Sequence, residues 1–291
     1  MLTEAEYAME RQKLGHAVHE SDGVWWERTA LFYTKPAFEF RSFPPGKAKP
    51  RWKSSFVGYS HQVPPAAMSN RTIEYMLMDE KTVRQFSMTT LRSEKRNQVR
   101  KGFKLCQVQQ ITDIEPHLED MRQINISQAG RLMEDPTFYL PSDYYTTHRE
   151  EWEANIRRHA SLRGHEWWGA FHQDHLVAYM VTLHVECVLS IQVMKTHTDH
   201  LKLCATDAVY FAALEKASNT DTCTLIVNGG SAREGLNKFK EQFLFKKTVI
   251  PCYTSNAWLY AAARRILQAK ERARASALRM RSRFGNRATS A

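Results

Sequence analysis

The spacing of apolar residues changes character several times along the chain. From Thr3 to about Val18 it is helical, with Thr3 and Glu6 spaced as a capping box and Leu2 and Tyr7 as the accompanying hydrophobic staple. From Val24 the texture turns to short aromatic and β-branched runs at 24–26, 31–33, 38–40, 56–59 and 73–78, separated by Phe43-Pro44-Pro45-Gly46 and Val63-Pro64-Pro65. These predict strands of an antiparallel or mixed sheet. Residues 80–104 return to helix, with Val99 and Phe103 four apart as its inner face. A strand follows at 105–110, then a helix capped by Asp113 with Pro116 in its first turn, and another helix from Ser142 to about Ala160.

The second half reads more regularly. Runs at 167–171, 176–185 and 187–194, with a polar turn at 172–175, predict a three-stranded meander. A polar loop at 195–204 leads to a helix capped by Thr206 or Asp207 and ending near Ala217. The stretch from Cys223 to Tyr253 then reads as strand, turn, helix and strand. Asn228-Gly229-Gly230 tolerates positive φ, and Ser231 with Glu234 makes a second capping box. Leu236, Phe239 and Phe243 fall at i, i+3 and i+7, one buried face. The final strand at 246–253 carries Pro251, which demotes its end to an edge or an exit. Beyond Ser255 a long helix begins with an apolar stripe of Leu259, Ala262, Ala263, Ile266 and Leu267.

Composition narrows the class. The chain has 291 residues, 43% apolar and 25% charged, enough for one large domain or two small ones. Strand-helix logic restarts near 107–112, which divides the chain into 1–107, 108–254 and a basic helix and tail at 255–291. No apolar run approaches the roughly 20 residues of a membrane span. The first residues are charged and helical, unlike a secretory signal. Five cysteines, an odd number without a C-x-x-C pair, point to reduced thiols and a cytoplasmic setting.

The net charge of +10 is unevenly spread: after residue 263, nine Lys/Arg face one acid. The body is therefore nearly neutral, and the tail is the part suited to nucleic acid or an anionic surface. A second basic run at 92–104 holds six bases (92, 95, 96, 100, 101, 104) against one acid. It is either a solvated helix face or an anionic-ligand patch.

Chemical motifs are few. His172–His175 and His197–His200 are both His-x-Asp-His strings, but neither has the geometry of a zinc site, and no metal is expected. No nucleophile elbow, Walker loop or dinucleotide fingerprint occurs. Gly229-Gly230 before a capped helix either cradles an anion or serves a turn that needs positive φ.

Four segments in order resemble the acyltransferase superfamily called GNAT, and within it the FemABX-type branch. LRSEKRNQVRKGFKLCQV resembles the branch's arginine-rich helix leading into a strand. ITDIEPHLEDMRQI resembles the first strand-helix of its second half, and WWGAFHQDHLVAYMVTLHVECVLSIQVM its central meander. NGGSAREGLNKFKEQFLFKKTVIP resembles its closing glycine turn, Phe-Lys helix and last strand. The resemblance covers roughly residues 90–253. It implies an α/β fold of α+β type, a mixed sheet with flanking helices built from two GNAT-like halves, the first degenerate.

It also implies transfer of an acyl group from an activated carrier, acyl-CoA or aminoacyl-tRNA, to an amine-bearing acceptor, with no bound cofactor and with tRNA as partner in the second case. Phe239 and Lys240 match the Phe-Lys pair beside the reacting carbonyl, with Lys240 as the oxyanion-stabilising cation. Without the resemblance the same two residues read as core and solvated helix face. The loop at 195–202 contains no glycine, where ordinary members bind pyrophosphate on a glycine-rich turn. Lys195 and Lys202, the helix start near Thr206, and Gly229 and Gly230 are then the candidates for donor or phosphate binding. Glu186, beside the central strand, and Asp207 are carboxylates of the type a general base needs; the missing glycine loop and the choice between these bases leave a catalytically silent GNAT-like binding protein as the alternative.

Overall fold

The computed structural model describes residues 1–29, 33–51, 58–131, 140–229 and 234–259, together with 261, 262, 265, 266 and 269. Helix α1 (Glu4–Lys13) starts at the predicted capping box, with Thr3 and Glu6 bonding reciprocally. It stops five residues short of Val18, because Gly15 takes φ +85° and turns the chain into a strand. That strand, β1 (Val18–Ser21), pairs with β2 (Val24–Arg28), and β3 (Tyr33–Pro36), β4 (Gly58–Gln62) and β5 (Arg71–Met78) follow. The run at 38–40 forms no strand. Phe38 and Phe40 instead pack on a small cluster that includes Tyr75.

The helix expected over 80–104 is divided into α2 (Glu80–Gln85), a 3-10 turn (Met88–Thr90) and α3 (Ser93–Leu105). Phe86 ends α2 in extended conformation, which breaks the helical run. Next come β6 (Gln107–Ile111), a 3-10 turn holding Pro116, α4 (Leu118–Arg131), α5 (Tyr144–Thr147) and α6 (Arg149–Ala160). The meander is β7 (His165–His172), β8 (His175–Val185) and β9 (Val188–Thr196), all antiparallel neighbours. A 3-10 turn (Thr198–Leu203) leads into α7 (Ala205–Ser218), then β10 (Leu225–Val227), α8 (Glu234–Gln242) and β11 (Lys246–Thr254).

The described strands join in one mixed sheet, ordered β1-β2-β3-β4-β11-β5-β10-β9-β8-β7-β6. The last strand is therefore interior, between β4 and β5, and not an edge. Pro251 is accommodated because it lies at the end of the β4 ladder: its carbonyl still accepts the Val63 N–H at 3.0 Å, and its missing N–H faces that end and spares the β5 ladder.

Alternate residues of β8 feed two cores on opposite faces. Ala178 and Met180 pack with α3 and α7, while Tyr179 and Val181 pack with α4 and α6. A smaller cluster around Trp26 and Phe43 serves the β1–β4 end. The fold class is the expected one: α+β, a mixed sheet with helices on its faces.

Candidate active site

Strand β9 is paired differently on its two edges. Against β8 it is laddered from Val188 to Thr196, but against parallel β10 only Val188, Leu189 and Ser190 are paired. Immediately beyond, Ile191 sits opposite Thr182 and Val193 opposite Val181, so Gln192 is an extra residue, a β-bulge. A bulge bends its strand and increases the local twist. Here it does so where β10 ends at Val227, leaving 191–196 without a strand partner on that edge among the described residues. Backbone N–H and C=O groups on an open edge are available to a ligand.

Lys240 comes to the mouth of this gap. Its Nζ donates to the carbonyl of Asn228, the first residue after β10, at 2.6 Å. Asn228 is fixed by its own N–H to Met76 O at 2.9 Å and by a side-chain hydrogen bond with the Tyr210 hydroxyl. Lys240 is only 3% exposed. Among the described residues no carboxylate lies within ion-pair distance of it. Burial therefore brings its pKa down to about 8.

A second buried lysine lies next to it. Lys95, also 3% exposed, reaches from α3 to Asp207 on α7 at 2.5 Å. Its ammonium sits 4.8 Å from the Phe239 ring centre and 5.2 Å from that of Phe243. Tyr210 closes the aromatic wall, 5.2 Å from Phe239 and 4.7 Å from Phe243 between ring centres. Two buried lysines thus lie beside the Phe239 ring, one paired with a carboxylate and one bonded to a neutral carbonyl.

The predicted site residues divide between the end of β10 and other places. Phe239 and Lys240 lie together beside that end, Lys240 on the Asn228 carbonyl and Phe239 against Tyr210. Within α8 Lys240 is buried and Phe239 partly buried, and Phe243 just past its end is fully buried, whereas Leu236, expected inside, is 47% exposed. Gly229 adopts φ +52° and accepts from Met76 N at 3.1 Å, so it serves the turn. Gly230 and Ser231, with the second capping box, lie outside the described residues, as do the first two residues of the run at 56–59 and the tail from 270.

Thr206 is the second residue of α7 and hydrogen-bonds Thr196 at the end of β9, tying strand to helix. It does not cap: α7 starts one residue earlier than Thr206, from Cys204 in left-handed conformation at φ 58°. Asp207 does not cap either; its carboxylate holds Lys95.

Lys195 is on the other face of the sheet. It pairs with Tyr179 across the β8–β9 ladder, and Tyr179 packs in the core under α4. Burial brings Lys195 also to a pKa of about 8. Lys202 is exposed on the 3-10 turn before α7. Glu186 sits at the β8–β9 turn at φ 51°, where its carboxylate accepts the N–H of Glu4 at 2.7 Å and so receives the start of α1.

The sequence reading misses Lys95, counting it with the outward bases of its helix. The signal was present: Lys95, Val99 and Gly102 are spaced i, i+4, i+7, and these three are the buried residues of α3. Phe103, expected inside, is 41% exposed. Gly102 is there because a Cβ would meet Cys204 O at 2.4 Å, the closest approach of α3 to α7. Among the described residues no group of three His, Cys, Asp or Glu is placed to hold a metal, and no helix is long and apolar enough to cross a membrane.

No protein-family model matches the chain, and no curated protein matches it in sequence. Solved structures do match in fold. The C-terminal domain of an Agrobacterium fabrum chain assigned as a lysylphosphatidylglycerol synthetase superposes with a TM-score of 0.57 at 10% identity, over 92% of this chain and 96% of that one. FemX superposes with 0.55 at 9% identity, over 88% and 92%. L-PGS from Bacillus licheniformis gives 0.52 at 14% identity, over 88% and 90%. At these identities the likeness is one of fold, and it runs through both ends of the sheet. The chain has the fold of FemX and of these synthetase structures.

Proposed function

We propose that this protein is an amide-forming acyltransferase, moving an acyl or aminoacyl group from acyl-CoA or a charged tRNA to an amine. The observation that carries the reading is Lys240: a buried cation, bonded to a neutral carbonyl, at the mouth of an open strand edge. Attack of an amine on a carbonyl produces a tetrahedral oxyanion, and a preorganised, desolvated cation stabilises that charge without reorganising. The Lys95–Asp207 pair and the Phe239 ring hold α8 in place beside it. The open edge of β9 offers backbone groups to align the acyl chain, and alignment supplies much of the remaining rate. FemX and L-PGS share the fold, which supports the class of reaction.

Lys240→Ala is expected to lower turnover by roughly 10²-fold or more. Transfer from acyl-CoA and from aminoacyl-tRNA to a panel of amines, measured on a variant whose folding is confirmed by circular dichroism, checks it. Wild-type turnover in that variant would remove Lys240 from the mechanism.

A further inference from the structure

Across the sheet from Lys240 lies a cavity of about 220 Å³ between α1, α6 and strands β7, β8 and β9. At roughly 30 Å³ per water it has room for about seven waters, or a ligand of that bulk. Leu14, Ile156, Leu162 and Val181 supply apolar wall. Gln192 and Val193, successive residues of β9, both line it, because the bulge turns two neighbours to one face. The cavity therefore abuts β9 at the place where its other edge comes free of β10.

Its polar lining is incomplete. Trp167, 6% exposed, presents a buried indole N–H with no hydrogen-bond partner among the described residues. Such a group in a native interior calls for a ligand or water. The charged lining residues are already committed: Glu10 to Lys13 at 2.6 Å, and Arg11 to Glu27 at 2.7 Å. Burial lowers the pKa of both His159 and His165; Arg11, Arg158 and His16 add to the effect at His159, while Glu10 opposes it at His165. Both imidazoles are thus neutral near pH 7, with one nitrogen each able to accept.

We propose that this cavity receives the acceptor of the transfer as a small amine on an apolar body, held by Trp167 Nε1 and the His159–His165 pair. The assignment of an acceptor rests on the acyltransferase reading; the assignment of a small-amine site rests on the cavity. With Glu10 and Arg11 held by Lys13 and Glu27, the groups left to a ligand are neutral donors and acceptors, which favour the uncharged amine over ammonium, and the uncharged form is the one that attacks a carbonyl.

The test uses benzylamine, with benzyl alcohol as its shape-matched control. Nuclear magnetic resonance of the tryptophan side chains identifies the Trp167 indole N–H as the signal lost in Trp167→Phe. Benzylamine, mostly ammonium at neutral pH, is expected to shift that signal saturably, with an apparent affinity that rises roughly tenfold per pH unit between pH 6.5 and 8.5 as its free base accumulates. Benzyl alcohol should show no such dependence, and Leu14→Trp, which fills the cavity from its half-buried rim, should weaken benzylamine roughly tenfold. A signal unmoved at pH 8.5 up to about 10 mM benzylamine free base, ten times a Kd of 1 mM, overturns the site, and an affinity independent of pH overturns the uncharged-amine class. No acyl donor is needed, so failure of the transferase reading leaves this result readable. In the transfer assay Leu14→Trp should raise the acceptor KM and leave the donor KM unchanged. The reverse pattern would assign the cavity to the donor and overturn the proposal.

Discussion

The two faces of β9 bury polar groups by opposite means. On the α7 face the buried groups are cations, Lys95 and Lys240, one balanced by Asp207 and the other set against the Asn228 carbonyl. On the α4 and α6 face they are mostly neutral, with Lys195 the exception at a pKa of about 8: Asn125 with the Tyr179 hydroxyl at 2.7 Å, the Trp167 indole, and two imidazoles discharged by burial. The strand is the same; the difference comes from what packs on it. The helix α3 brings a basic sequence against one face and can bury a lysine only by pairing it, whereas the other face is reached by aromatic and amide side chains. Charge that stays charged suits the stabilisation of an anion, and a neutral lining suits an uncharged nucleophile.

The contrast can be broken most forcefully at Asp207. Asp207→Ala leaves the Lys95 ammonium buried without its partner and should destabilise the fold by about 3–5 kcal/mol, read from the urea midpoint. A loss under about 1 kcal/mol would show that Lys95 reaches solvent and that this face is not an ionic one.

The next effect is a pH dependence. Lys240 has a folded pKa of about 8 against an unfolded value of 10.5. Between those limits the unfolded chain keeps a proton that the folded chain has shed, so stability rises with pH from about 8 to about 10.5. Lys195, also near 8, contributes in the same direction. Lys240→Met should remove about 3 kcal/mol of that rise while Lys195 still supplies its share. An unchanged slope would mean that Lys240 is not desolvated. The same titration predicts that turnover falls above pH 8, as the cation is lost.

The smallest expected effect is on the neutral face. Tyr179→Phe removes one hydrogen bond to Asn125, whose Nδ2 still bonds Met121 O at 2.7 Å. The expected cost is about 1 kcal/mol by thermal unfolding, independent of pH from 6 to 9. A cost approaching that of Asp207→Ala would erase the distinction between the faces.

Some of this was legible residue by residue. The capping box at Thr3 and Glu6, the three-strand meander, the positive φ at Gly229 and the pairing of Phe239 with Lys240 on one helix follow from local spacing, and the structure has each of them. Lys95 was legible in principle, since it shares a helical stripe with Val99, but composition outweighed position in a run of six bases. Leu236 and Phe103 were misplaced for the converse reason: an apolar side chain at the right spacing is still left outside when no neighbour covers that part of the helix. Nothing local marked β11 as interior, because Pro251 is tolerated only through its place at the end of the β4 ladder.

The sequence by itself determined the local elements, their order and the residue types available to a site, because periodicity and capping act over a few residues. The tertiary structure decided the site. Whether Lys240 is a solvated base or a buried cation depends on the Asn228 carbonyl twelve residues away and on the aromatic wall from α7. Whether β9 is a sheet interior or an open edge depends on where β10 stops and where Gln192 bulges. Contacts of that range carry no signature in spacing, since each partner reads as an ordinary residue of its own element until packing brings them together.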